Sequence, residues 1–299
     1  MTKQDGDKAV VSEEHEVVFS RSPGGDTGMR TAMQAAQKTL PLFWREVHWE
    51  RHRIIPFMDL SVLKVAFSDE PGVISAISSE PAGDVEYMWV TDVNFDGIEW
   101  TGTLASPPMA LTSVQAGVPV AFTTERVADW NFSMVDQVMG GFTTQHLRSK
   151  MTPAERVAFD QMQGLDFGDP ANVQLVAVEP APYPTKKTGL LKKKSVPVRG
   201  PIAPIGQDAD AILAQEHGMA VSMAERFEQD AEQQAGVATY VDPEGFSTLH
   251  RMALAGATRM VELLLQHGAD RDLRTPSGLT ALDLANSLGW SRTAAVLQR

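Results

Sequence analysis

One stretch of the sequence, VADWNFSMVDQVMGGFT at 127–143, combines residue types that could build a small-molecule site. Asp129 and Trp130 stand near one end, and the pair Gly140–Gly141 stands near the other. Glycine adopts backbone angles that other residues resist, and paired glycines leave amide groups open to an anion. With a carboxylate and an indole wall, the stretch is typical of a ligand pocket in an enzyme or a ligand sensor.

The same residues also have an architectural interpretation. The Asp129 carboxylate would accept amide hydrogens of the following loop, Trp130 would pack at a sheet edge, and the glycines would permit the turn into the helix TQHLRS. We favour this interpretation, because an acid and a tryptophan without a partnered base are not a catalytic set. His146, the one histidine near the stretch, keeps the alternative of an enzyme or sensor open.

Two other motif fragments predict no chemistry. HWERH places His48 and His52 one helical turn apart, but Glu50 points away from their shared face, so we expect no metal site. Ser61 and Lys64 have the spacing of a serine acyl-enzyme motif, whose third element is absent. We therefore expect no catalytic residue, no metal ligand and no cofactor.

Composition limits the class of protein. The chain has 299 residues, 43% of them hydrophobic, no cysteine and a formal net charge of −12. The polar first residues and the lack of a long apolar run predict a cytoplasmic protein without a membrane span. The negative charge disfavours nucleic acid as a partner and favours basic proteins.

Pro-, Gly- and Ser-rich stretches and changes in the hydrophobic period predict five segments. Residues 1–28 are a mobile lead-in, 29–179 an α+β domain, 180–207 a Pro/Lys-rich linker, 208–241 a helical capping segment and 242–299 a repeat unit. The linker carries six basic residues without an acid, and we favour a solvated chain over an RNA-binding one.

The α+β domain is predicted to contain an antiparallel sheet with flanking helices. A helix begins at Met29, Pro41 interrupts it, and a second short helix runs through 43–53. Alternating side chains predict a hairpin around Asp96–Gly97, and further strands at VLKVAFS, at VPVAFTTE and, as the last strand, at NVQLVAVE.

The C-terminal unit repeats at a period of 33 residues. The matched pairs are Gly245 with Gly278, Leu249 with Leu282, Gly256 with Gly289 and Leu264 with Leu297. Together with the start Ser247-Thr248-Leu249-His250 and the exit Gly268-Ala269-Asp270, this all-α unit strongly resembles two ankyrin repeats. Two repeats bury too little to stand alone, so the acidic helices or the sheet domain should cover one end of the stack. The resemblance implies protein binding through the turn tips, and His250 is expected to bond local backbone.

The sheet domain resembles the YegJ-type family of bacterial domains of unknown function over about residues 30–165. The motifs that carry this resemblance are Trp89-Val90, Gly102-Thr103-Leu104, Pro107-Pro108, Gly117-Val118-Pro119-Val120, Asp129-Trp130 and Gly140-Gly141-Phe142-Thr143. The resemblance implies a fold and almost no biochemistry.

These observations together predict a bacterial protein-binding module. Its most concrete form is an immunity protein, an antitoxin that neutralises a basic toxin by covering it. The candidate partner contacts lie in an aromatic patch and at the ankyrin tips: Trp89, Asp129, Trp130, Phe142, His146, Glu244, Phe246, Arg271, Asp272 and Arg274. The alternative is a small-molecule enzyme or ligand sensor that uses Asp129, His146 and the glycine pair.

Overall fold

The computed structural model describes residues 26–70, 75–77, 85–177, 208–229 and 234–299. The predicted Pro/Lys-rich linker and most of the predicted N-terminal lead-in lie outside these residues.

The first helix, α1 (Thr27–Glu50), is continuous, and the prediction that Pro41 separates two helices is wrong. Asp26 caps its start by accepting from the Met29 amide at 3.1 Å. A proline inside a helix removes one backbone hydrogen bond. Here the apolar faces on both sides of Pro41 are buried, with Leu40 before it and Phe43 after it. Tertiary packing therefore holds the helix together across the proline.

Six antiparallel strands form one sheet in the order β4-β3-β2-β1-β5-β6, and α1 packs on it. This arrangement confirms the predicted α+β class. The strands are β1 (Met58–Phe67), β2 (Glu86–Phe95), β3 (Trp100–Leu104), β4 (Pro119–Phe122), β5 (Val127–Met134) and β6 (Gln137–Gly140).

The stretch 127–143 forms the β5–β6 hairpin and the start of a helix. Its turn residues, Val135 and Asp136, both have positive φ (51° and 68°), as a two-residue hairpin turn requires. Every residue of β5 is buried, so the polar residues that alternate with apolar ones along the strand, Asp129, Asn131 and Ser133, are buried as well. The strand predicted from Asn172 is wrong over the described residues, because 172–177 has no strand; the Gly140 amide donates to the Gln174 carbonyl at 2.7 Å.

Two helices complete the sheet domain, α2 (Phe142–Ser149) and α3 (Pro153–Gln163). Arg148 joins α2 to the chain beyond it. Its guanidinium donates to the Asp160 carboxylate (2.7 Å) and to the Gly168 carbonyl (3.0 Å), and the side chain is buried. A buried guanidinium with these partners fixes the position of α2 relative to α3.

Three short helices, α4 (Ala209–Leu213), α5 (Gly218–Gln229) and α6 (Gln234–Thr239), precede the repeats. The repeats are the helix pairs α7 (Thr248–Leu254) with α8 (Thr258–Gln266) and α9 (Ala281–Ser287) with α10 (Ser291–Leu297). The first helix of each pair begins with a capping box, at Ser247 in one repeat and at Thr280 in the other.

The repeats do not stand apart from the sheet domain. The apolar core is continuous from α1 and the sheet into the repeat helices, and α5 packs on α8. The turn between β2 and β3 touches the second repeat, where the space beside Gly97 is filled by the Leu279 and Leu284 side chains. Ser277 Oγ also donates to the Asp96 carboxylate at 3.1 Å. As predicted, the short repeat stack is covered, and both the acidic helices and the sheet domain contribute.

Candidate functional site

Asp129 lies in the middle of β5, and its side chain is completely buried. One carboxylate oxygen accepts from the Trp130 amide (2.8 Å) and the Phe142 amide (3.0 Å). The other accepts from the Thr143 amide (2.7 Å) and the Thr143 hydroxyl (2.6 Å). These four donors come from β5 itself and from the first turn of α2, so the carboxylate ties the start of that helix to the sheet.

The glycine pair makes the turn between β6 and α2. Gly140 and Gly141 have φ of 77° and 70°, a region that favours glycine. Gly140 also lies against Trp130, because a Cβ at position 140 would stand 2.4 Å from the indole ring. Gly141 donates its amide to the Trp130 carbonyl at 2.7 Å. The turn is therefore closed on the tryptophan by contact and by hydrogen bonding.

Lys64 is a buried partner of Asp129 that sequence reasoning did not identify. The two residues face each other across β1 and β5, and successive side chains of a strand alternate, so both point away from the face that holds Trp130. Lys64 Nζ donates to Thr143 Oγ1 at 3.3 Å and lies 4.8 Å from the Trp89 ring centre. A lysine inside the apolar run VLKVAF was the available signal.

Burial disfavours the charged forms of both Asp129 and Lys64. It raises the pKa of the Asp129 carboxyl, while Lys64 and the hydrogen-bond donors act in the opposite direction. Burial likewise lowers the pKa of the Lys64 ammonium, and Asp129 opposes that shift. Each group therefore depends on the other for a compensating charge inside the protein.

His146 takes part in a different set of contacts. Its Nε2 forms a hydrogen bond with Asp26 Oδ2 (3.0 Å), and its ring packs on Gly28 at the start of α1. Lys150 donates to the same Asp26 oxygen at 2.6 Å, and these contacts lower the pKa of Asp26. His146 thus fastens α2 to α1, and the structure gives Asp129 and His146 separate partners.

The contacts around Asp129 are those that the architectural interpretation describes: the carboxylate accepts from the following loop, and the glycine pair forms the turn. Asp129 and Trp130 are both fully buried, which corrects their assignment as partner contacts, since a buried side chain offers no surface to another protein. Trp89, Phe142 and His146 remain partly exposed. A groove of about 300 Å³ beside Phe142 is lined by α1, α2 and the 171–175 segment, and its lining includes neither Asp129 nor His146.

The tip of the first repeat, at 242–246, is held by Arg251 of α7. The Arg251 guanidinium lies 4.1 Å from the Phe246 ring centre, donates to Asp242 at 2.8 Å and forms an ion pair with Glu244. Phe246 is buried beneath it, which corrects its assignment as a partner contact, whereas Glu244 is exposed.

The tip of the second repeat presents Arg271, Asp272 and Arg274 at the surface. His250 joins the two repeats through backbone contacts: its Nδ1 accepts from the Ser247 amide (3.0 Å), and its Nε2 lies 2.8 Å from the Leu273 carbonyl. Both ring nitrogens are occupied by these contacts, so His250 has a structural position.

The described ranges contain no cluster of three or more histidine or carboxylate side chains that could hold a metal ion. Within the same ranges, the helices are too short or too polar to cross a bilayer.

Comparisons with known proteins agree with this architecture. Residues 26–167 match the family described as an uncharacterized protein conserved in bacteria, DUF2314, and residues 235–285 match ankyrin repeats. The chain is 33% identical over 273 residues to the "Putative ankyrin repeat protein NMB1133/NMB1171" of Neisseria meningitidis serogroup B, covering 91% of this chain and 94% of that protein. It is also 29% identical over 65 residues to the uncharacterized protein YegJ of Escherichia coli K12, covering 22% of this chain and 42% of YegJ. These matches confirm both resemblances stated from the sequence.

Proposed function

Because this chain belongs to the same family as the ankyrin repeat protein of Neisseria meningitidis, we propose that it is a protein-binding module, and more specifically an immunity protein. The observation that carries the proposal is the ankyrin unit packed into one core with the DUF2314 domain. Ankyrin repeats present a surface to other proteins, so the coarser statement, a module that binds protein, follows from the repeats themselves.

The geometry around Asp129 supports binding over turnover. The carboxylate is engaged by four internal donors, and its facing cation is the buried Lys64. A general base must reach the proton it abstracts, and Asp129 has no exposed surface from which to do so. This residue is suited to fixing α2 on the sheet.

Charge supports the finer proposal of a toxin as partner. With a net charge of −12, the chain attracts basic proteins and repels acidic ones, and such complementarity accelerates association. A basic toxin that acts in the cytoplasm is therefore the partner that we propose, with the immunity protein in the same compartment.

The experiment is purification of the tagged full-length chain from its native cell, followed by co-expression with the protein it retains. We expect a stoichiometric basic partner that inhibits growth when expressed alone and is harmless when this chain is present. A partner without toxicity would leave a protein-binding module and remove the immunity role. Failure to retain any protein at low salt would remove the proposal itself.

A further inference from the structure

The exposed apolar residues of this protein are concentrated in three segments. Eleven large apolar side chains are exposed in the part of the chain that the structure describes, and six of them belong to these segments. Ile54 and Ile55 expose 100% and 79% of their surface, and the other four expose between 44% and 56%. We call the set the apolar rim, and it consists of Ile54, Ile55, Phe57, Ile98, Tyr240 and Val241.

Contacts at the β2–β3 turn connect the three segments of the apolar rim, and Arg51 makes the first of them. It follows α1 and directly precedes the loop that carries the first segment. Its guanidinium donates to Asn94 Oδ1 at 3.1 Å, next to the β2–β3 turn that carries Ile98. The first ankyrin tip reaches the same turn by another route: a Cβ at Gly245 would stand 2.7 Å from Pro276, and the next residue, Ser277, donates to Asp96. The end of α1 and the first ankyrin tip are thus both joined to the hairpin turn.

The loop that presents the isoleucines is held in one conformation. The Glu50 carboxylate accepts from the Phe57 amide (2.5 Å) and the Met58 amide (3.0 Å), which closes the loop. Arg53 forms an ion pair with the same carboxylate, and its guanidinium lies 5.8 Å from the Phe57 ring centre. A loop fixed before binding loses less entropy when a partner contacts it.

The apolar rim exists only where the two units meet. Ile98 belongs to the sheet domain, and Tyr240 and Val241 lead into the first repeat. The second ankyrin tip is already in contact with the β2–β3 turn through Ser277 and Asp96. The second ankyrin tip therefore belongs to the interface between the repeats and the sheet domain. The exposed apolar side chains of the rim lie beside this interface.

We propose that the apolar rim is the surface through which this chain binds its partner, and that the partner is a basic protein with an apolar cleft. The inference rests on the proposed function and names its surface. Exposed apolar side chains that cluster in this way mark interaction surfaces, and one side of a specific protein interface buries about 800 Å². The net charge of −12 repels a second copy of this chain and an anionic bilayer, and it attracts a basic protein.

The test uses the full-length chain with a photo-crosslinking residue at position 55, expressed in the native cell. A matched chain carries the same residue at position 157, in α3, where Val157 is also exposed. We expect a basic protein to be cross-linked at position 55 and not at 157. Cross-linking of a second copy of this chain, of an acidic protein, or of nothing at position 55 would overturn the proposal.

The cross-linked protein is then purified and its affinity measured by calorimetry against two double variants. The first is Ile54→Ser with Ile55→Ser, and the control is Val157→Ser with Met162→Ser on α3. Burial of two isoleucines predicts that the first variant binds at least about tenfold more weakly, with the control changed less than about twofold. Both variants should keep the melting temperature of the parent, because all four side chains are exposed.

Two outcomes separate this inference from the proposed function. If the purified partner binds the Ile54/Ile55 variant as tightly as the parent, the surface is wrong and the protein-binding function stands. If vesicles containing phosphatidylglycerol retain the parent and not the Ile54/Ile55 variant, the apolar rim binds lipid and the proposal is overturned.

Discussion

Replacing Asp129 by asparagine removes one charge from the centre of the sheet domain while nearly preserving the shape of the side chain. In the parent, both carboxylate oxygens accept hydrogen bonds, two from amides at one oxygen and two from Thr143 at the other. An asparagine side chain has one oxygen and one NH₂ group, and the NH₂ group donates. One end of the introduced amide would therefore face donors that it cannot accept, and Lys64 would lose its opposing charge.

The expected loss of stability is that of removing one member of a buried ion pair, which lowers the free energy of unfolding by about 3–5 kcal/mol. The expected fall in Tm is roughly 10 °C for a protein of this size. The start of α2 should be the first region to loosen, because the lost acceptor binds the Phe142 and Thr143 amides.

The assay is thermal unfolding followed by circular dichroism, together with hydrogen exchange of the α2 amides. Asp272→Asn is the matched control, since Asp272 is exposed, and its Tm should stay close to that of the parent. Adding Lys64→Met to Asp129→Asn should recover part of the loss, because the uncompensated charge is then removed. An Asp129→Asn protein with the parent Tm and normal exchange in α2 would refute the architectural interpretation and return Asp129 to a role in ligand binding.

Three further predictions follow from individual contacts. Gly140→Ala should unfold at a much lower temperature than Gly141→Ala, because both positions have positive φ but only a Cβ at 140 collides with Trp130; equal melting temperatures would contradict the close approach. Burial and nearby cations lower the pKa of His48 to about 3 from 6.5, so the unfolded chain takes up a proton first as the pH falls. Stability should be unaffected above pH 6.5 and fall by about 2 kcal/mol at pH 5, and urea titrations of His48→Leu should lack this loss. Arg148→Lys should lower the free energy of unfolding by about 2 kcal/mol, measured by urea denaturation, because an ammonium cannot reproduce the fork that binds Asp160 with one nitrogen and the Gly168 carbonyl with the other.

Regular patterns in the sequence were sufficient to predict much of the fold. The 33-residue period located both repeats, because each helix pair must present the same apolar face to its neighbour. The alternation on either side of Asp96–Gly97 located a hairpin, and in its second strand Trp100, Gly102 and Leu104 are buried whereas Thr101 and Thr103 are not. Patterns of this kind are local, so they are visible without knowledge of what packs against them.

The errors arose where burial is uniform or where packing overrides local preference. All eight residues of β5 are buried, so the polar residues Asp129, Asn131 and Ser133, which alternate with Trp130, Phe132 and Met134, do not form the solvent-exposed face that such alternation usually indicates. Pro41 predicts a break by its local chemistry, whereas the sheet holds both halves of α1 in one helix. The Val135–Asp136 turn was missed because neither residue is the glycine that usually accompanies positive φ.

For the candidate site, the sequence by itself supplied the acid, the indole and the paired glycines, together with the expectation that a carboxylate near bare amides would bind them. Only the tertiary structure paired Lys64 with Asp129, directed His146 to Asp26, and brought the end of α1 and the ankyrin tips to the β2–β3 turn. Those contacts join residues far apart in the chain. Their formation depends on strand register and on the docking of helices, which no local pattern of residues encodes.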